Sequence, residues 1–121
     1  MLIVLAAMSI ASWRQCRVWH DSQSLWRHAL WVDPANAFAL NNLGVVLTQQ
    51  NQLDEAAELL RRALAIDSNF ADAHNNLGAI DASQGRLDDA IGHWRAALAI
   101  NPLDPDAQAN LEMALKLKER H

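Results

Sequence analysis

Residues 37–70 and 71–104 are two copies of one unit. Laid over each other at a shift of 34, they agree at fifteen of 34 positions: Ala37, Ala39, Asn41, Asn42, Leu43, Gly44, Gln50, Leu53, Asp54, Ala56, Arg61, Ala63, Leu64, Ala65 and Ile66 each recur. A fixed period constrains the fold strongly, because a recurring unit of this size stacks on its copies and cannot bury its apolar face alone. The frame extends in both directions. Leu25, Arg27, Ala29, Leu30 and Asp33 match Leu59, Arg61, Ala63, Leu64 and Asp67, and Asp106, Ala107, Asn110 and Leu111 match Asp72, Ala73, Asn76 and Leu77. The chain holds half a unit, two full units and another half.

Within each unit the apolar spacing is helical, as Leu40, Leu43 and Leu47 followed by Ala56, Leu60, Ala63 and Leu64 show. Each unit is therefore a pair of helices, and the pattern predicts helices near 21–32, 37–50, 54–66, 71–84, 88–100 and 104–118. Gly44 and Gly78 fall in mid-helix, where glycine costs about 1 kcal/mol against alanine. They make sense where a neighbouring helix passes too close for a side chain, and Ala56, Ala63, Ala90 and Ala97 suit the same crossing. Asp54 and Asp88 stand at the amino end of each second helix, with Asn51 and Gly85 in the turn before it. Asp33-Pro34 and Asn101-Pro102 close one unit and open the next.

The NNLG runs at 41–44 and 75–78, LDEA and LDDA at 53–56 and 87–90, and ALAID and ALAIN at 63–67 and 97–101 resemble the tetratricopeptide repeat family over roughly residues 20–119. The resemblance implies an all-α, right-handed superhelical solenoid of antiparallel helix pairs, whose first helices line a concave groove that holds peptides. In that frame residues 1–19 are an apolar N-terminal segment and 20–36 a half repeat. Residues 37–70 and 71–104 are full repeats. Residues 105–121 form a C-terminal capping helix, polar through Lys116, Lys118, Glu119 and Arg120.

Asn42, Asn76 and Asn110 recur at intervals of 34. Carried onto the groove, they stack as a ladder similar to the asparagine ladder of the O-linked N-acetylglucosamine transferase repeats. A carboxamide offers two donors and an acceptor and so pairs with a peptide bond whatever the side chain. Asn41 and Asn75 add a second row, which Ala109 breaks. The competing reading is that these asparagines bond backbone or one another between repeats. Further groove positions, by family position, are Phe38, Val45, Gln49, Asp72, Ala79 and Ser83. No lysine or arginine occupies them, so the charged clamp that some family members use for a carboxyl-terminal aspartate motif is absent.

Charge narrows the partner. The formal charge is -4, but residues 32–115 carry four arginines against twelve acids, while each end is net +2. An acidic middle repels phosphate backbones, so nucleic acid is not an expected partner. With Asp72 in the groove, a basic or neutral extended peptide is favoured. No Ser-His-Asp or Cys-His motif and no glycine-rich phosphate loop occurs, so neither catalysis nor a cofactor is implied. Cys16 and His20 lie one helical turn apart, but a closed metal site needs about four ligands and only Asp21 is near. Asp81 and His74 take positions where the family has large apolar or aromatic side chains, so both should point inward. Asp81 then needs a donor such as the Trp94 indole or a histidine, or a local opening to solvent.

Residues 1–13, MLIVLAAMSIASW, carry no charge. A helix of that length spans about 20 Å against roughly 30 Å of hydrocarbon, too short to cross unaided. Two readings stand: a packing helix of the leading half repeat, or the end of a transmembrane helix or weak membrane anchor. The run RQCRVWHDSQSLWRHALWVDPAN at 14–36, with Trp19, Asp21, Ser22, Leu25 and Trp26, is similar to the junction in multispanning O-mannosyltransferase-type membrane proteins, where the last membrane helix enters tetratricopeptide repeats. Trp13 and Trp19 beside Arg14 and Arg17 also suit a membrane interface. The arginines place the repeats in the cytoplasm, whereas the resemblance points to the opposite side. The chain is thus expected to be a non-catalytic peptide-binding scaffold. The alternatives are a piece of a membrane glycosyltransferase whose repeats recruit acceptor proteins, and a self-associating homo-oligomeric module.

Overall fold

A computed structural model describes residues 20–120, and among them there are six helices and no strand. Helix α1 covers residues 20–32, α2 Ala37–Gln49, α3 Leu53–Ile66, α4 Ala71–Ser83, α5 Leu87–Ile100 and α6 Pro105–Glu119. Residues 1–13 and Cys16, and with them the membrane and packing readings of the N-terminal segment, lie outside the described residues. Within those residues no helix is long and apolar enough to cross a membrane.

Local chemistry sets the ends. The Asn36 side chain accepts from the Ala39 amide and opens α2, and Asp104 accepts from the Asp106 and Ala107 amides ahead of Pro105 to open α6. α3 and α5 have no side-chain cap and instead carry Asp54, Glu55, Asp88 and Asp89 in their first turns, where carboxylates favour the helix dipole. The turn inside each pair needs a left-handed residue, supplied by Asn51 at φ 60° and Gly85 at φ 81°. Between pairs, Asp33 and Asp67 each accept from an amide two residues on, at 3.1 Å.

The crossings within the pairs rest on the two helical glycines. A Cβ on Gly44 would stand 3.0 Å from Leu60 Cγ, and one on Gly78 would stand 2.9 Å from Trp94 Nε1. Ala56, Ala63, Ala90 and Ala97 are wholly buried at the same crossings. Leu40, Leu43, Leu47, Leu60, Leu77 and Ile80 form the core between α2, α3 and α4, and Trp26 and Leu30 of α1 pack on it. A second cluster of Ala90, Ile91, Trp94, Ala97, Ala107 and Ala114 joins α5 to α6, and a 2.8 Å ion pair from Lys118 to Asp88 ties the last helix down.

Each helix packs on the next from α2 to α6, and in addition α2 touches α4 and α4 touches α6, whereas α3 and α5 do not touch. An array whose first helices meet and whose second helices splay must curve, with α2, α4 and α6 on its inner face.

Candidate functional site

The inner face carries the asparagines. Asn42 is half-buried, and its Nδ2 donates to the Phe38 carbonyl of its own helix at 2.9 Å. Asn76 Nδ2 donates to Asn41 Oδ1 at 3.0 Å, and Asn110 Nδ2 to Asn75 Oδ1 at 3.4 Å. The two rows are thus cross-linked: the second asparagine of one unit reaches the first asparagine of the unit before it, in both intervals. Asn41 is 5% exposed, so the bond from Asn76 satisfies a buried acceptor. Each carboxamide uses only part of its capacity in these bonds. Asn42 Oδ1, Asn76 Oδ1 and Asn110 Oδ1 have no partner among the described residues and sit on half-buried side chains.

The other predicted groove residues are distributed unevenly. Phe38 is exposed and meets the Trp26 ring edge-on at a centroid distance of 5.6 Å, which joins α1 to the inner face. Val45 is half-buried, and Gln49, Asp72, Ala79 and Ser83 are exposed. The Ser83 hydroxyl bonds the Ile80 carbonyl at 2.7 Å, a contact internal to α4. Ala79 and Asn110 share the wall of an apolar cavity between α4 and α6.

Asp81 is 3% exposed and is held by Arg86, whose Nη2 and Nε lie 2.9 and 3.2 Å from Oδ1. The Trp94 indole is not its donor: Trp94 Nε1 is turned onto Gly78 and meets no acceptor among the described residues. A histidine is the second neighbour, with His93 Nε2 at 3.6 Å from Asp81 Oδ2. His93 Nδ1 lies 3.2 Å from His74 Nδ1, and His74 Nε2 lies 3.1 Å from the Ser68 carbonyl. A carbonyl only accepts, so His74 donates from Nε2; with both imidazoles neutral, His74 Nδ1 then accepts from His93 Nδ1. That leaves the His93 Nε2 lone pair toward the carboxylate, which accounts for the 3.6 Å separation. Burial holds the His93 imidazole below its ordinary value, against the pull of Asp81 in the other direction.

His93 and Arg86 belong to this network and were not singled out by sequence. The signal was in the 34-step comparison: His74, Asp81 and His93 replace Leu40, Leu47 and Leu59, and Arg86 replaces Gln52. Three buried leucines of one unit give way together to a bonded polar set in the next.

Comparison with known proteins agrees with this architecture. Residues 46–80 match the family model described as TPR repeat, and residues 71–104 match the one described as Tetratricopeptide repeat. The chain is 40% identical over 57 residues, 47% of its length, to Protein O-mannosyl-transferase Tmtc2 of Drosophila melanogaster, and spans 6% of that protein. In structure it is similar to the first TPR of Spaghetti (RPAP3) bound to an HSP90 peptide, with a TM-score of 0.81, 16% identity, and 97% of this chain and 92% of that one covered. It is also similar to the O-GlcNAc transferase of Thermobaculum terrenum, with a TM-score of 0.75 and 33% identity, covering 78% of this chain and 18% of that one. Stacked helix pairs of this kind present an extended surface for protein interaction. On its 34-residue helix pairs, their glycine crossings and these matches, the chain belongs to the tetratricopeptide repeat family.

Proposed function

We propose that the inner face of α2, α4 and α6 binds a protein segment in extended conformation, and that the asparagine rows hold its backbone. The observation that carries this reading is the set of carboxamide oxygens on Asn42, Asn76 and Asn110 that have no partner among the described residues, repeated at the period of the fold. The cross-links fix the orientation of two of these side chains before a ligand arrives, so little ordering entropy is lost on binding. The similar RPAP3 repeat is bound to an HSP90 peptide, which supports a peptide as partner. Phe38, Val45, Gln49, Asp72, Ala79 and Ser83 border the path, and Asp72 favours a basic or neutral strand.

Binding of an extended peptide library to the full chain, followed by fluorescence polarisation, tests the reading. Asn42→Ala should weaken binding by about tenfold, the worth of one hydrogen-bonded site, with little change in melting. Asn76→Ala should weaken binding and also lower the melting temperature, because it strands the buried Asn41 oxygen at about 1–3 kcal/mol. Loss of stability in Asn76→Ala with binding unaltered in both variants would reduce the asparagines to a structural role.

The identity with the O-mannosyl-transferase favours a second reading, in which the repeats deliver acceptor proteins to a membrane-bound transferase. An immunoblot of the native protein distinguishes the two. A membrane-fractionated polypeptide much larger than 13.4 kDa supports the second reading, and a band at that mass outside the membrane fraction contradicts it.

A further inference from the structure

The cavity between α4 and α6 measures about 210 Å³ and is lined by Ala79, Leu87, Trp94, Met113, Ala114 and Leu117, with Ala82 and Asn110 completing its wall. Its origin is legible in the repeat. One unit earlier, the same positions hold Val45 for Ala79 and Ile80 for Ala114, and the rim positions of Met113 and Leu117 are Ala79 and Ser83. The first interval has a filled floor and a small, polar rim. The second has alanine at both of those floor positions, beside Leu87 and Trp94, and its rim is built from long apolar side chains, with Met113 63% and Leu117 42% exposed.

No charged side chain lines the cavity. Small-molecule pockets run to about 300–1,000 Å³, so this one is undersized for a free cofactor, whereas an apolar cavity of about 150 Å³ holds a benzene ring. Two exposed apolar side chains one turn apart are also far short of the roughly 1,200–2,000 Å² that a stable subunit interface buries. The space fits one large side chain. Asn110, on its wall, keeps an unpartnered Oδ1 and belongs to the asparagine row, so the cavity is continuous with the path of the bound backbone.

We infer that this cavity is a specificity pocket: it takes one phenyl or branched aliphatic side chain of the bound segment while Asn110 Oδ1 accepts that residue's backbone N–H. This rests on the groove reading above and adds a sequence requirement that carboxamides alone cannot impose. The ligand is thereby an extended, basic or neutral peptide with a single large apolar anchor.

A positional-scanning library of amidated peptides, titrated into the full chain, tests it. At one position Phe, Leu, Ile or Met should bind at least about tenfold better than Ala, as burial of such a side chain implies. Ala114→Ile, which restores the filling found one unit earlier, should abolish that preference and leave a weaker, sequence-tolerant binding. Ala79→Val is the second filling variant should Ala114→Ile fold poorly. Binding with no apolar preference, or a preference that both filled variants retain, overturns the pocket and leaves the groove standing. No peptide binding at all overturns both. Concentration-dependent dimerisation that Ala114→Ile abolishes would assign the cavity to a second copy and overturn the proposal.

Discussion

Gly78 has no space for a methyl group, and its neighbour is rigid: the added carbon would stand 2.9 Å from the Trp94 indole nitrogen. At Gly44 the neighbour is a leucine side chain at 3.0 Å, which yields more readily. Alanine would recover about 1 kcal/mol of helix propensity at either site. Against that stands an overpacking cost of about 1–3 kcal/mol. Chemical denaturation should therefore show Gly78→Ala losing up to about 2 kcal/mol and Gly44→Ala losing less. The reverse order would mean that the indole, not the leucine, is the side chain free to move. His93 makes a second prediction at this scale. Its folded value lies below 6.5, chiefly through burial, with Arg61 and His74 acting in the same direction and Asp81 and Asp89 opposing. On acidification through 6.5 the unfolded chain binds the proton first, so this group's contribution to stability falls as pH drops and is recovered above it. Thermal melts between pH 7 and pH 5 should decline more steeply for the native chain than for His93→Leu; equal slopes would contradict the assignment.

At the scale of elements, α6 leans on its own ends. It buries only Ala107 and Ala114 outright, and Asp104 caps it with bonds to two amides. Asp104→Ala should cost about 1 kcal/mol, seen as early loss of amide protection confined to α6. Global unfolding at the lower temperature instead would show that α6 and the rest melt as one unit. Helices α2 to α6 were legible in the sequence, each to within about two residues, because Leu40, Leu43 and Leu47, then Ala56, Leu60, Ala63 and Leu64, recur at helical spacing, the 34-residue shift carries the frame onto the second unit, and Asn51 and Gly85 mark the turns. That the asparagines bond backbone or one another between repeats was one of the two readings the sequence offered, and these bonds are present; the particular pairing of Asn41 with Asn76 and of Asn75 with Asn110 was not legible. It depends on the lateral offset between successive helices, which a residue count does not contain. The polar network was half legible: Asp81 and His74 stood out as misplaced, but their partners His93 and Arg86 lie on the facing helix and the turn before it.

For the molecule as a whole, function follows from curvature. Contact along α2, α4 and α6 with separation between α3 and α5 concentrates the repeated side chains of the first helices on one face, so a property that recurs once per 34 residues becomes a line of equivalent groups in space. The unit difference matters as much as the repeat. Where the copies agree, at the asparagines, the face carries the same carboxamides in both units. Where they diverge, at Val45 against Ala79 and Ile80 against Ala114, it offers a pocket once. The central claim is that this inner face receives an extended peptide on its carboxamides. The most direct measurement is an amide-resolved NMR titration of the full chain with the best-binding library peptide. The account predicts that the side-chain amide signals of Asn42, Asn76 and Asn110 shift together and saturate with one dissociation constant, while the backbone amides of α3 stay in place and those of α5 move only beside Leu87 and Trp94, which line the cavity. Shifts gathered on α3 and α5, with those three asparagines unmoved at saturation, would contradict it.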